Sequence, residues 1–268
     1  MRRSFDKAIQ LREAVERGLD NNQFELYFQP IAAAAPGKPP VLEALLRWHH
    51  PTDGLVTPLA FSTVFNDANT AWKIGNYVMD QTVHAARKLA DQGVSFERIA
   101  FNVANADFRD TSFVARLIDR CEAHNVPLER LIVEVTENLV LGAETQNVTT
   151  ALTHLRRKGV QIALDDFGTG YASLSHLRSL KFDKIKIDKS FVTELTTSTG
   201  DATIVQSVVN IAASLNKEVI AEGVETEAQA RCLVQMGCDW LQGWHFSRAV
   251  PLCNLSDTLT GLEADWPE

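Results

Sequence analysis

Short β-rich runs that are apolar on both faces, separated by longer segments with helical spacing, limit what this chain can fold into. The runs cover 24–31, 41–48, 98–103, 131–136, 160–165, 184–187, 218–221 and 240–242. A strand apolar on both faces must be covered on both, which suits a parallel sheet flanked by helices or a closed barrel. Between the runs, Val148, Leu152 and Leu155 recur at i, i+4 and i+7, and Ile204, Val208, Ile211 and Leu215 at i, i+4, i+7 and i+11. Each set predicts the buried stripe of one helix. The first of these helices closes on Arg156-Arg157-Lys158-Gly159, with cations against the helix dipole and a glycine for the left-handed cap; Gln92-Gly93 and Met236-Gly237 close two others. Thr226 with Gln229 three residues on predicts a capping box. The pattern reads as one α/β unit over residues 1–268, with an N-terminal helix over about 4–20 and a (β/α)8 TIM-like barrel over about 24–250. An open doubly wound sheet is the runner-up. Residues 32–40 form the loop between the first two strands.

Charge and apolar content exclude several classes of function. With 34 acidic against 26 basic side chains the net charge is −8, which argues against a grip on a nucleic-acid polymer. No apolar run reaches the roughly 18 residues of a membrane span, and the first twenty residues contain no signal-peptide core, so the expected location is the cytoplasm. Cys121, Cys232, Cys238 and Cys253 lack metal-site spacing and read as reduced thiols.

A barrel places reactive side chains at the carboxyl ends of successive strands. In order, those ends carry Gln29, Glu43 with Arg47, Asn102, Glu134 with Glu137, Asp165 with Asp166, Lys186 with Asp188, Glu222 with Glu225, and Gln242. A single glutamate at a strand end is ordinarily a solvated residue. So many carboxylates around one mouth repel one another unless cations neutralise them. The donors are hard oxygens without Cys or His, which selects Mg²⁺ or Mn²⁺. Adjacent aspartates, one able to bridge, suggest two ions about 3.5–4 Å apart, an arrangement suited to attack at phosphorus. Lys186 can orient an attacking water or neutralise phosphate charge; on its own it reads equally well as a buried counter-ion.

The ordered blocks Phe28-Gln29-Pro30-Ile31, Glu43-Ala44-Leu45-Leu46-Arg47-Trp48, Asn102, Glu134-Val135-Thr136-Glu137, Asp165-Asp166-Phe167-Gly168-Thr169-Gly170-Tyr171, Lys184-Ile185-Lys186-Ile187-Asp188, Ala221-Glu222-Gly223-Val224-Glu225-Thr226 and Gln242-Gly243 resemble the EAL domains. These are bacterial phosphodiesterases that open the second messenger cyclic di-GMP. The resemblance implies a barrel whose first strand runs against the others, and hydrolysis to linear 5′-pGpG by in-line water attack with two Mg²⁺ or Mn²⁺ ions. It further implies that Glu43, Asn102, Glu134, Asp165, Asp166 and Glu222 hold the metals, with Glu43, Glu222 and Lys186 at the chemistry. Gln29, Arg47, Asp188 and Gln242 would contact the dinucleotide, while Glu137 and Glu225 would anchor loops, Glu137 holding 167–171. Implied partners are a second copy in a homodimer and sensor or GGDEF-type domains. A non-catalytic cyclic di-GMP receptor is the alternative within the family, and a Mg²⁺-dependent enolate-stabilising barrel ranks far behind.

Overall fold

Strands that must be covered on both faces are covered here by closing the sheet on itself. In a computed structural model, which describes residues 2–109, 111–141, 145–168, 177 and 180–264, ten strands form one sheet. They are β1 (Phe24–Ala33), β2 (Val41–His50), β3 (Gly54–Val56), β4 (Ile99–Asn102), β5 (Leu131–Thr136), β6 (Gln161–Phe167), β7 (Lys184–Ile187), β8 (Glu218–Ala221), β9 (Trp240–Gln242) and β10 (Val250–Pro251). The order β1-β9-β8-β7-β6-β5-β4-β2, closed by the pairing of β1 with β2, makes an eight-stranded barrel; β3 and β10 extend its rim. Strands β2 and β4 to β9 run parallel. Strand β1 is antiparallel to both neighbours, as the resemblance implies.

Several strand bounds differ from the sequence reading. Ala32 and Ala33 belong to β1, paired with Leu241 and Trp240 on β9; Ala33 fits the lumen beside Trp240, and Ala32 is on the opposite face. Strand β6 continues to Phe167 through a register shift after Leu164. The stripe Val148, Leu152, Leu155 is buried on the helix Thr145–Arg157. On the helix Thr199–Ser214 the expected stripe holds in part: Val208 is buried and Ile211 and Leu215 pack against the core, but Ile204 is 41% exposed and Val205, Val209 and Ala212 complete the buried face. That helix is apolar on most of its circumference, so spacing alone does not fix which face packs. The capping box at Thr226 forms, and the N-terminal helix spans Arg2–Asp20. Among the described residues no helix is long and apolar enough to cross a membrane.

The core has two parts. Ile31, Ala33, Val41, Ala100, Ile132, Ala163, Ile220 and Trp240 plug the lumen. A larger cluster lies between the barrel and its helices. Strand β7 shows how the sequence divides between them. With a period of two, Ile185 and Ile187 point outward into the larger cluster while Lys184 and Lys186 share the inner face. Lys184 lies below the apolar plug, paired with Glu218 and set against the Trp240 ring at 4.7 Å. Lys186 lies above it, at the mouth.

Candidate active site

Residues at or near the carboxyl ends of β5, β6 and β8, together with Glu43, which is only the third residue of β2 rather than at its carboxyl end, converge on one buried ammonium carried by β7. Lys186 Nζ, 1% exposed, sits 2.7 Å from Glu222 Oε1, 3.1 Å from Glu134 Oε1, 3.1 Å from Asp165 Oδ1 and 3.5 Å from Glu43 Oε1. Asn102 donates Nδ2–H to Glu43 (3.2 Å) and Glu134 (3.1 Å), so the end of β4 joins the same group.

This cluster carries more negative than positive charge, and protons make up the difference. Burial, followed by the charges of Glu43, Asp165 and Glu222, holds Glu134 well above the usual carboxylate range despite Lys186. Burial together with Asp165 and Glu43 pushes Glu222 up to about 7. Asp166 is raised by burial and by its neighbours Asp165 and Asp188. Burial opposes the charge on Lys186, yet Asp165, Glu134, Glu222 and Glu43 outweigh it and keep the ammonium protonated. For Glu43, burial is outweighed by Lys186 and the hydrogen bond from Gln242, so this carboxylate stays ionised.

Oxygen donors such as Glu134 and Glu222, which desolvation and like charge bias toward the neutral form beside ionised Glu43, are groups from which a divalent cation displaces protons, so the residues present fit Mg²⁺ or Mn²⁺. Among the described residues no three His, Cys, Asp or Glu side chains close on a common metal-sized point. The Lys186 ammonium stands at the centre they share.

The irregularity inside β6, between Leu164 and Phe167, sets the two aspartates apart. Asp165 is in the lumen at 8% exposure, whereas Asp166 is exposed with φ +53. Gly168 follows with φ +99, and a Cβ there would stand 2.9 Å from the Phe191 ring. Buried Glu137 accepts the Gly168 N–H at 2.9 Å through Oε1. Thr169, Gly170 and Tyr171, the remainder of the loop assigned to Glu137, lie outside the described residues.

The other expected residues divide. Gln242 is buried; its Nε2–H bonds reach Glu43 Oε2 at 2.5 Å and Gln29 Oε1 at 3.3 Å, and Gln29 in turn donates to the Ser247 carbonyl at 2.9 Å. Arg47 lies on the same face of β2 as Glu43, half-buried, bonded to the Leu46 carbonyl and 5.8 Å from the Tyr27 ring. Asp188 caps the helix Lys189–Thr193 by accepting the Ser190 N–H. Glu225 is exposed and outside the cluster; its backbone N–H, not its carboxylate, is tied down, by Gln229 Oε1 at 2.9 Å.

Two residues of the site were missed in the sequence. Gly243 has no space for a side chain, since a Cβ would fall 1.9 Å from the Val224 carbonyl oxygen, and this close approach seats the end of β9 against the loop carrying Glu222. Asp107 is a buried acid in the short helix Asn105–Arg109 that follows β4, raised to about 6 by burial; its Oδ2 accepts the Ala104 N–H at 2.8 Å, one half of a capping box whose other half Ala104 cannot supply. A helix start with an acid three residues after the turn was the available signal.

A sequence model of the EAL domain matches residues 12–249. The bifunctional diguanylate cyclase/cyclic di-GMP phosphodiesterase MucR of Pseudomonas aeruginosa is 35% identical over 251 residues, covering 94% of this chain and 36% of MucR. The cyclic di-GMP phosphodiesterase NbdA of the same organism is 35% identical over 257 residues, covering 96% of this chain and 33% of NbdA. The chain thus spans about a third of the length of these curated relatives. A solved structure of the MucR phosphodiesterase in complex with c-di-GMP aligns with a TM-score of 0.85 at 36% identity, covering 92% of this chain and 99% of that one.

Proposed function

We propose, since the chain belongs to the EAL domain family, that it is a phosphodiesterase hydrolysing cyclic di-GMP to linear 5′-pGpG with the help of Mg²⁺ or Mn²⁺. The observation that carries this reading is the full set of oxygen donors at one mouth, with Lys186 among them. Glu43, Asn102, Glu134, Asp165, Asp166 and Glu222 would hold two ions. When bound, such ions neutralise phosphate charge and make water a better nucleophile.

The chain's own groups do the positioning. Lys186, flanked by Glu43 and Glu222, holds the attacking water in line with the phosphorus, opposite the departing 3′-oxygen. A new P–O bond forms from the water oxygen as the water gives up a proton to a neighbouring carboxylate, the P–O3′ bond breaks, and the departing 3′-oxygen takes a proton from solvent. Arg47, Gln29 and Asp188 orient the dinucleotide, the guanidinium facing its phosphate. The enzyme works in the cytoplasm, as a homodimer, under sensor or GGDEF-type domains. The deciding experiment is a chromatographic trace of cyclic di-GMP incubated with protein and Mg²⁺ or Mn²⁺. Appearance of pGpG supports the reading, whereas tight binding without product identifies a receptor.

Metal binding and proton release should be linked. The carboxyl of Glu222 ordinarily titrates near 4.5 and is raised to about 7 here, so folding favours its neutral form. Its contribution to metal-free stability is therefore full below about 4.5 and is lost as pH rises through about 7. Adding Mn²⁺ at pH 6.5 is expected to release more than one proton per chain, from Glu222 and Glu134 together, read with a pH indicator in weak buffer. Binding without release would place the ion elsewhere.

Gln242 is assigned chiefly to holding Glu43. Gln242→Leu keeps the volume but removes both hydrogen bonds, and is expected to lower kcat about 10–100-fold with KM little changed. A rise in KM at constant kcat would return Gln242 to direct contact with the nucleotide.

A further inference from the structure

The end of the barrel opposite the acidic mouth carries a groove of opposite charge. It has a volume of ≈ 520 Å³ and is lined by Arg98, Arg156, Arg157, Lys181, Gln161 and Asp183, among others. Its cations come from separate segments: Arg98 precedes β4, Arg156 and Arg157 end the helix Thr145–Arg157, and Lys181 precedes β7. Lys217, before β8, adjoins them. The dipole of one helix explains cations at 156 and 157 but not those brought in from the other segments.

Two acids adjoin this groove, Asp183 and Glu129, the latter with its carboxylate 2.9 Å from where a Cβ on Gly159 would stand, and the cations Arg98, Arg156, Arg157, Lys181 and Lys217 outnumber them. Asp183 is committed to Arg156, which binds it through Nε at 2.8 and 3.0 Å and through Nη2 at 2.7 Å, while Asp183 Oδ2 also accepts the Ile162 N–H. Arg157 and Lys181 are exposed and make no ion pair among the described residues. Lys217 is depressed by burial and then by the charge of Arg156, with Lys181 acting the same way. A positive field therefore persists here on a chain whose net charge is −8. Arg98 Nε is closed off from solvent without a hydrogen-bond partner, a donor left over that an anionic oxygen drawn up to this side chain would satisfy.

We propose that this groove binds a di- or triphosphate group, with a nucleoside polyphosphate as the ligand class that fills it. Arginine and lysine together supply bidentate and point-charge contacts to adjacent phosphates. The volume exceeds what one inorganic phosphate occupies and leaves space for a nucleoside. The site is separate from the mouth: Gln161 opens β6, which ends near Asp165, and Asp183 precedes β7, which carries Lys186.

The test is calorimetric titration of the whole chain with inorganic pyrophosphate and with guanosine and adenosine 5′-triphosphates. EDTA is present throughout, so that no cation can recruit phosphate to the acidic mouth. Saturable binding is expected for each, weakening with salt and falling about tenfold or more for Arg157→Glu and for Lys181→Glu. Both positions are exposed, and thermal melts of the variants serve as the check on folding. Arg87→Glu, on the distant helix Ala68–Asp91, should bind as the unaltered chain does. Tighter binding of the nucleotides than of pyrophosphate supports a nucleoside ligand, and equal binding narrows the site to the phosphates alone. Absence of saturable binding at low salt, or equal binding by Arg157→Glu and Lys181→Glu, overturns the proposal.

Discussion

Replacing Asp165 by asparagine is expected to cut kcat for cyclic di-GMP hydrolysis by about 10³-fold or more, beyond the 10–100-fold typical of a group one step removed from a metal. Asp165 is 3.1 Å from Lys186 and is one of the carboxylates whose charge raises Glu134, Glu222 and Asp166. Removing its charge makes the remaining acids easier to ionise but takes away the carboxylate proposed to be shared by the two ions. Metal affinity should fall with the rate, so titrations of Mn²⁺ against turnover separate the two effects. Turnover close to that of the unaltered chain at saturating Mn²⁺ would refute the shared-ligand scheme.

Lys186→Met has the second large effect, and its sign depends on metal. The ammonium offsets four surrounding carboxylates at 2.7 to 3.5 Å in a buried setting. Breaking such a network by removing one partner costs about 3 kcal/mol or more. In EDTA the variant should therefore unfold at markedly lower urea concentration. Saturating Mn²⁺ should restore much of that loss, because the cation supplies the missing positive charge. The rate should remain low even with Mn²⁺, since no group then places the water. An equal stability loss with and without metal would show that Lys186 and the ions do not share the same carboxylates.

Much of this was legible in the chain because barrels tie sequence position to space. Once β4, β5, β6, β7 and β8 are strands of one parallel set, Asn102, Glu134, Asp165, Lys186 and Glu222 have to meet at or near their carboxyl ends; Glu43 joins them from the start of β2, because β2 pairs with β4 only over Leu42–Ala44 and then runs on. Period-two alternation likewise sends Lys184 and Lys186 into the lumen together. What was not legible depends on contacts between distant segments. The link from Gln242 to Gln29 joins residues 213 apart, and that from Gln29 to Ser247 residues 218 apart, so neither spacing nor motif reveals that Gln242 braces Glu43. Glu225 illustrates the converse, since its motif neighbours enter the pocket while its own side chain faces solvent. The rotation of the helix Thr199–Ser214 was hidden because valines and isoleucines line more than one of its faces.

The reversed direction of β1 has a consequence for how this unit can be wired to others. In an all-parallel barrel a polypeptide arriving from upstream enters at the floor. Here Phe24 pairs with Trp48, beyond the level of Glu43, so the chain enters beside the rim and descends. The helix Arg2–Asp20 is moored there, Arg12 to Asp67 and Glu16 to Lys73. A module spliced ahead of that helix would be delivered to the doorway through which substrate passes, whereas an insertion at 34–40 would hang from the far end.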